Sequence, residues 1–129
     1  MRWPAEWEPH QAVWIGFPGD PAEWPVGREE AQREVAAFAD AIADDGAGET
    51  VVLVCRDVAD RDIARSLVQS CVNLVVEPFG DIWLRDSAPV FVAGPSGLDG
   101  RNFGFNGWGG KYEMAGDQDI GQRLAGRFD

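Results

Sequence analysis

Positive charge is scarce in this 129-residue chain, which has 11 lysines and arginines against 22 aspartates and glutamates, for a formal charge of −11. Nucleic-acid binding depends on basic side chains that release counterions, so this balance argues against a nucleic-acid partner and against attraction to anionic membranes. Small cations and basic proteins fit better as partners. A high acidic content also raises solubility, and this is the plainer explanation of the charge.

Long hydrophobic runs are missing as well. No apolar stretch approaches the roughly 20 residues that a membrane-spanning helix needs, and residues 1–4 lead into polar residues rather than into the apolar core of a signal peptide. We therefore expect a cytoplasmic protein. With 45% hydrophobic and 26% charged residues, the composition is that of a folded, single-domain chain.

Histidine occurs once and cysteine twice. His10 has no partner at metal-ligand spacing, so we expect a structural role for it and no metal site. Cys55 and Cys71 lie at the end of one valine-rich strand pattern and just before another, and neither adjoins a histidine or a glycine-rich nucleophile turn. Both are predicted to be inert core thiols without a disulfide. The serine elbow, the phosphate loop and the dinucleotide fingerprint are absent too.

The apolar pattern predicts alternating strands and helices, and so an α/β fold. Strands are expected at residues 12–17, 50–55 and 73–77, and the unbroken β-branched run of the second indicates a central strand covered on both faces. Residues 90–93 and 101–106 flank the turn-rich GPSGLDG and predict a hairpin with a long loop.

Three helices are expected, each with one apolar face. The first runs from residue 27 to about residue 46, with a face of Ala31, Val35, Phe38 and Ile42. The second is capped by Asp57 and continues to about residue 69, with a face of Ile63, Leu67 and Val68. The third covers residues 117–127, with a face of Ile120, Leu124 and Phe128.

The segment GDIWLRDSAP at residues 80–89 is where the sequence carries chemistry. If it is extended, Asp81, Trp83 and Arg85 share one face, and Asp86 falls at the end of the strand. A carboxylate such as Asp86 matches the planar N–H fork of a guanidinium ion. The ring of Trp83, or that of Trp108 in FNGWGGKY, could cover the face of such a cation.

A plainer interpretation exists for each of these residues. Arg85 and Asp86 would join ordinary ion pairs or turn hydrogen bonds, the tryptophans would fill the core, and the glycines around Trp108 would only permit a sharp turn. Residue chemistry alone favours this interpretation, because isolated Arg-Asp pairs and buried tryptophans are common.

Three segments in order resemble the N-terminal signatures of the agmatine deiminase and bacterial peptidyl-arginine deiminase family. They are PAEWEPHQAVWIGFP at residues 4–18, GDIWLRDSAPVFV at residues 80–92 and FNGWGGKY at residues 105–112. Together they cover about a third of the chain, and ordered matches of this length are far more specific than one short motif.

The resemblance implies the N-terminal part of a five-bladed α/β-propeller whose active site lies on the axis. Enzymes of that family hydrolyse a guanidine to a urea and release ammonia, using a cysteine thiolate, a histidine and two acids, with no cofactor. It also implies that Asp86 is a catalytic acid gripping the guanidinium, with Trp83 beside it at the substrate. Trp108 and Gly109 would form the wall of the same pocket.

The sequence departs from the family pattern in important places. The segments that carry the family's catalytic histidine and cysteine are not among these residues, and His10, Cys55 and Cys71 cannot inherit those roles. Smaller departures are Phe17 before Pro18, where a tryptophan is usual, and Ala88 before Pro89, where glycine is usual. We therefore expect residues 1–129 to be one partial domain, the N-terminal segment of a deiminase catalytic domain, and to be inactive alone.

Several functional alternatives stay open. Agmatine is the favoured substrate, which would place the enzyme in putrescine and polyamine synthesis, because no secretion signal is evident. Peptidyl arginine and free arginine present the same guanidinium. A non-catalytic guanidinium-binding module is a further alternative, and so is a homo-oligomer formed through unpaired strand edges.

Overall fold

The computed structural model describes residues 1–127, which alternate strands and helices as the sequence predicts. The strands are β1 Val13–Gly16, β2 Val51–Cys55, β3 Asn73–Val76, β4 Val90–Gly94 and β5 Gly97–Arg101. The helices are α1 Arg28–Ala43, α2 Val58–Leu67, the single turn α3 Leu84–Ser87 and α4 Asp117–Ala125. A 3-10 turn, Asp44–Gly46, follows α1. No helix among the described residues is both long and apolar enough to cross a membrane.

Strands β1, β2 and β3 form a parallel sheet in that order, so the prediction of a central β2 is confirmed. Alternate side chains of β2 point to opposite faces. Leu53 packs with Phe17 and with the alanines of α1 and α2 on one face. Val54 packs with Phe79 and with Leu84, Ile120 and Leu124 on the other face. Helices α1 and α2 therefore cover one side of the sheet, and α3 and α4 cover the other.

The predicted buried face of α1 is wrong by one residue. The buried positions are Gln32, Ala36, Ala39 and Ala43, whereas the side chain of Phe38 is 59% exposed. Alanines let the helix approach the sheet closely, and the larger Val35 and Ile42 pack at the border of the contact.

The N-cap of α2 is confirmed, since the Asp57 side chain accepts a hydrogen bond of 2.9 Å from the backbone N–H of Asp60. The predicted apolar face of α2 is not confirmed. Ala64 and Asp60 are the buried residues, while Ile63 and Leu67 are 40% and 36% exposed. Of the predicted stripe, Val68 alone packs against the core.

A hairpin forms after β4, but the predicted strand at residues 101–106 is wrong: β5 is Gly97–Arg101, residues 102–106 are outside any strand, and the loop is shorter than predicted. Gly94 pairs with Gly97 and Val92 with Asp99, so most of the glycine-rich stretch belongs to β5 and the turn is Pro95 and Ser96. The backbone of Arg2 pairs with that of Ala93 and ties the start of the chain to the hairpin. In α4, Ile120 and Leu124 are buried as expected; Phe128 lies outside the described residues.

Candidate functional site

The candidate site lies near the carboxyl ends of β1 and β3. Because parallel strands end at the same edge of a sheet, the segments that follow these two strands meet there. They border a cavity of about 380 Å³ together with the segment around Trp108. The cavity is lined by Glu23, Asp81, Trp83, Trp108, Tyr112 and Met114. Its wall therefore combines carboxylates with three aromatic rings.

The segment 80–89 is not the extended strand considered above. Residues 84–87 form the helical turn α3, in which the backbone N–H of Asp86 donates to the carbonyl of Trp83 at 3.0 Å and that of Ala88 donates to Leu84 at 2.8 Å. Leu84 and Ser87 are buried under the turn. Burial of these two positions explains the departure, because a helical turn places them on one face whereas a strand would separate them.

Asp117 fixes the entrance to this segment. Its carboxylate is 3% exposed and accepts hydrogen bonds of 2.7 Å from the N–H of Gly80 and 3.3 Å from the N–H of Asp81. Burial raises the pKa of Asp117, and the two backbone hydrogen bonds partly oppose that shift. Gly80 also packs closely against Met114, since a Cβ added at Gly80 would lie 2.2 Å from the Cβ of Met114. Sequence reasoning missed Asp117, because an acid at the start of a helix usually serves only that helix.

Trp108 is held by a left-handed turn. All four residues of Gly107–Gly110 have positive φ, and Trp108, with φ 55°, is the one that is not glycine. The turn is closed by hydrogen bonds of 2.8 Å from the N–H of Gly110 to the carbonyl of Asn106 and 2.9 Å from the N–H of Lys111 to Gly107. A residue with a side chain is disfavoured in this conformation by about 1–2 kcal/mol. The glycines therefore allow the turn, and Trp108 adopts a left-handed backbone conformation that is unfavourable for a residue with a side chain.

Aromatic neighbours fix the orientation of the Trp108 ring. Phe105 and Tyr112 meet it edge to face, with ring centroids 5.0 and 6.1 Å away. The ring is 41% exposed, and that of Trp83 is 57% exposed. Neither tryptophan fills the core, so both rings keep a surface on which a ligand can pack.

Glu23 enters the cavity from the loop between β1 and α1. Asp20 organises this loop: its side chain accepts 2.9 Å from the N–H of Ala22, and its carbonyl accepts from the N–H groups of Glu23 and Trp24 at 3.2 and 3.0 Å. Arg56 lies 3.5 Å from the carboxylate of Asp20 and 3.5 Å from that of Asp60.

Two buried side chains support the base of the loop. Gln32 donates 2.8 Å to the carbonyl of Pro18. Asp60 is 4% exposed, and burial raises its pKa while the charge of Arg56 opposes the shift. The loop that carries Glu23 is thus tied to α1, to the end of β2 and to α2.

The structure places the predicted site residues in two groups. Trp83 and Trp108 line the cavity together. Asp86 lies on α3, three residues after Trp83 and outside the lining of the cavity; it is exposed, and within residues 1–127 its side chain has neither a hydrogen bond nor an ion pair. Gly109 is exposed in the left-handed turn and does not line the cavity. Arg85 pairs with Glu6 rather than with Asp86.

The histidine and the cysteines do not line the cavity. Nδ1 of His10 lies 2.8 Å from the carboxylate of Glu49, and this hydrogen bond raises the pKa of His10. Cys55 is fully buried, and burial raises the pKa of its thiol to about 12. Cys71 is half-buried and packs against the edge of the core, so the prediction of a core thiol is confirmed in full for Cys55 and in part for Cys71. Within the described part of the chain, no cluster of three or more His, Cys, Asp or Glu could hold a metal ion.

Comparison with known proteins adds the family. The sequence profile of the Porphyromonas-type peptidyl-arginine deiminase family matches residues 2–129. Agmatine deiminases from Pseudomonas aeruginosa and Pseudomonas syringae pv. tomato are 40% and 39% identical to the chain over 112 and 109 residues. The matches cover 85% and 83% of this chain but 29% and 28% of those proteins. The chain thus spans less than a third of the length of the curated relatives it matches.

Solved structures show the same fold. Agmatine deiminase of Enterococcus faecalis superposes with a TM-score of 0.87 over 98% of this chain and 35% of that one, at 24% identity. A C. jejuni agmatine deiminase with substrate bound superposes with a TM-score of 0.80 over 95% of this chain and 35% of that one, at 19% identity.

Proposed function

The chain belongs to the Porphyromonas-type peptidyl-arginine deiminase family, and we propose that it supplies the acidic and aromatic half of a guanidinium site in a deiminase. The observation that carries the proposal is an exposed, unpaired carboxylate on the helical turn that begins directly after Trp83, a residue of the cavity lining. Asp86 lies one helical turn after Trp83, whose ring lines that cavity. A carboxylate and an aromatic face are the two partners that a planar guanidinium ion prefers.

Asp86 is the proposed catalytic acid. Its two oxygens accept N–H groups of the guanidinium, which orients the guanidinium carbon and favours the charged form. Trp83 and Trp108, which both line the cavity, pack beside the substrate, and Gly109 belongs to the turn that holds Trp108. The rigid left-handed turn supports this role, because strained backbone is retained where the surrounding structure holds a functional side chain.

The reaction implied is hydrolysis of the guanidine. A thiolate attacks the guanidinium carbon, ammonia leaves, and water then releases the urea product from the thiouronium intermediate and restores the thiol. Cys55 cannot supply that thiolate, since its thiol is buried with a pKa of about 12. His10 is paired with Glu49 away from the cavity. The nucleophile and the proton-transfer histidine are therefore assigned to residues outside these 129, and the chain alone is expected to be inactive.

Agmatine is the proposed substrate, with N-carbamoylputrescine and ammonia as products in putrescine synthesis. The relatives named agmatine deiminase support this choice. Peptidyl arginine is the second candidate, because the family profile carries that activity in its name. We also propose that residues 1–129 are one partial domain, the N-terminal segment of a five-bladed α/β-propeller. Superposition of 98% of this chain onto 35% of a deiminase supports the partial domain, whereas the N-terminal position and the five blades rest on the resemblance of the sequence motifs. Cytoplasmic location stays a prediction from the sequence.

Calorimetric titration of the 129-residue chain with agmatine tests the proposal. We expect binding by the wild type and a loss of about tenfold or more in Asp86→Asn, because a charge-assisted hydrogen bond contributes about 1.5–3 kcal/mol. Asp62→Asn is the matched control, since Asp62 is an exposed acid on α2 that pairs with Arg61. No binding by the wild type, or equal losses in both variants, would refute the assignment of Asp86.

A further inference from the structure

The cavity contains a carboxylate that the guanidinium grip does not use. From its position we infer that Glu23 is a specificity-determining residue that recognises a second positive charge on the substrate, apart from the guanidinium. This inference rests on the proposed function and extends it to the other end of the ligand. It assigns the site to guanidines that also carry a terminal amine.

The two carboxylates, Asp86 and Glu23, lie in different parts of the site. Asp86 is on α3, outside the lining of the cavity, whereas Glu23 belongs to that lining. Trp83 connects them, because it precedes Asp86 in the chain and its ring shares the cavity with Glu23. In the proposed arrangement, the remainder of a ligand whose guanidinium is held at Asp86 occupies the cavity that Trp83 and Glu23 line.

Hydrogen bonds and an ion pair fix the position of the loop that carries Glu23. Glu23 is the third residue after Asp20, in the turn that Asp20 closes with its side chain and its carbonyl. Asp20 is in turn paired with Arg56, and the buried amide of Gln32 holds the base of the loop at Pro18. A loop tied down at these points presents its third residue at a constant place, which a specificity contact requires.

The charges around the cavity favour an amine. Glu23 is exposed, and its side chain makes no hydrogen bond or ion pair with any residue that the structure describes. Asp81 is less available, since one of its oxygens already accepts 2.7 Å from the N–H of Ile82. None of the described residues that line the cavity is a lysine or an arginine. A ligand ammonium would thus meet an unpaired carboxylate, while a ligand carboxylate would be repelled.

Two ligands that differ in one group isolate this contact. Agmatine and n-butylguanidine share the guanidinium and the four-carbon chain, but only agmatine has the amine. We expect the wild-type chain to bind agmatine about fivefold more tightly than n-butylguanidine at low ionic strength, which is the upper range for an exposed ion pair. Glu23→Gln should bring that ratio close to one and leave n-butylguanidine affinity unchanged. Glu34→Gln, which removes the same charge from the exposed side of α1, should keep the ratio.

The outcomes separate this inference from the proposed function. A ratio that persists in Glu23→Gln overturns the role of Glu23 while leaving the guanidinium grip intact. Equal weakening of both ligands in Glu23→Gln also overturns it, because Glu23 would then act on the guanidinium or on the general field. Failure of the wild type to bind either guanidine overturns the proposed function and, with it, the inference. Free arginine serves as a third ligand and should bind more weakly than n-butylguanidine.

Discussion

The carboxylate of Asp117 accepts a 2.7 Å hydrogen bond from the backbone N–H of Gly80 and so joins the start of α4 to the segment that carries Trp83. The two residues are 37 positions apart in the sequence. Since Asp117 also accepts from the N–H of Asp81, the chain is fixed two residues before the tryptophan. The position of Trp83, and of Asp86 after it, depends on this tertiary contact.

Removing the Asp117 carboxylate should destabilise the chain. Asp117→Ala leaves the buried N–H of Gly80 without a partner, at a cost of about 1–3 kcal/mol in the free energy of unfolding. Urea denaturation measures it, and Asp119→Ala is the control, since Asp119 is an exposed acid in the same first turn. Similar losses in the two variants would contradict the structural role of Asp117.

The raised pKa of Asp117 gives a pH dependence of defined sign. Between the ordinary carboxyl value of 3.8 and the raised folded value, the native chain binds more protons than the unfolded chain. The contribution of this group to stability is therefore fully present below 3.8 and is lost as the pH rises through the folded pKa. Asp117→Asn removes the titration, so we expect the variant to lose less stability than the wild type over this window. Denaturation curves of equal pH dependence would contradict the shift.

The two cysteines should react with thiol reagents at very different rates. Cys55 is fully buried with a pKa of about 12, so almost no thiolate is present at neutral pH, whereas Cys71 is half-buried. N-ethylmaleimide should modify one thiol of the native chain quickly and the second only after unfolding, as mass spectrometry can follow. Cys71→Ser should abolish the fast reaction. Rapid modification of Cys55 in that variant would contradict its burial.

Adjacent residues of α1 test which face of the helix is buried. Phe38 is 59% exposed and Ala39 is fully buried. Phe38→Ser is therefore expected to change the free energy of unfolding by less than about 0.5 kcal/mol, whereas Ala39→Leu should cost about 1–3 kcal/mol by overpacking. Chemical denaturation of the two variants decides between the faces, and the reverse order of effects would support the apolar stripe that the sequence indicates.

The sequence predicts the elements of this fold better than their surfaces. Its unbroken β-branched run identified β2 as the central strand, because only a strand covered on both faces tolerates such a run. The buried face of α1 was missed, because side-chain hydrophobicity favours Phe38 while close packing favours Ala39. Apolar periodicity identifies the most hydrophobic face of a helix. Packing against the sheet selects instead the face whose small side chains allow the closest approach.

The candidate site was likewise predicted only in part from the sequence. Trp83 and Trp108 were predicted as site residues, and both line the cavity. Asp117 and Glu23 were missed, because Asp117 bonds to the N–H of Gly80, 37 residues away, and Glu23 lines a cavity formed by segments that are distant in sequence. The helical turn at Leu84–Ser87 was missed for the same reason, as it depends on burial of residues against α4. The run of glycines around Trp108 was the one local signal available for the left-handed turn.

The measurement that tests the central claim most directly follows the indole N–H signals of the tryptophans by NMR during titration of the 129-residue chain with agmatine. Trp3 and Trp7 are 73% and 89% exposed outside the cavity and serve as internal controls. If the chain supplies half of a guanidinium site, the signals of Trp83 and Trp108 shift together and saturate, while those of Trp3 and Trp7 stay in place. Unchanged signals of Trp83 and Trp108, or equal shifts of all four, would contradict the account.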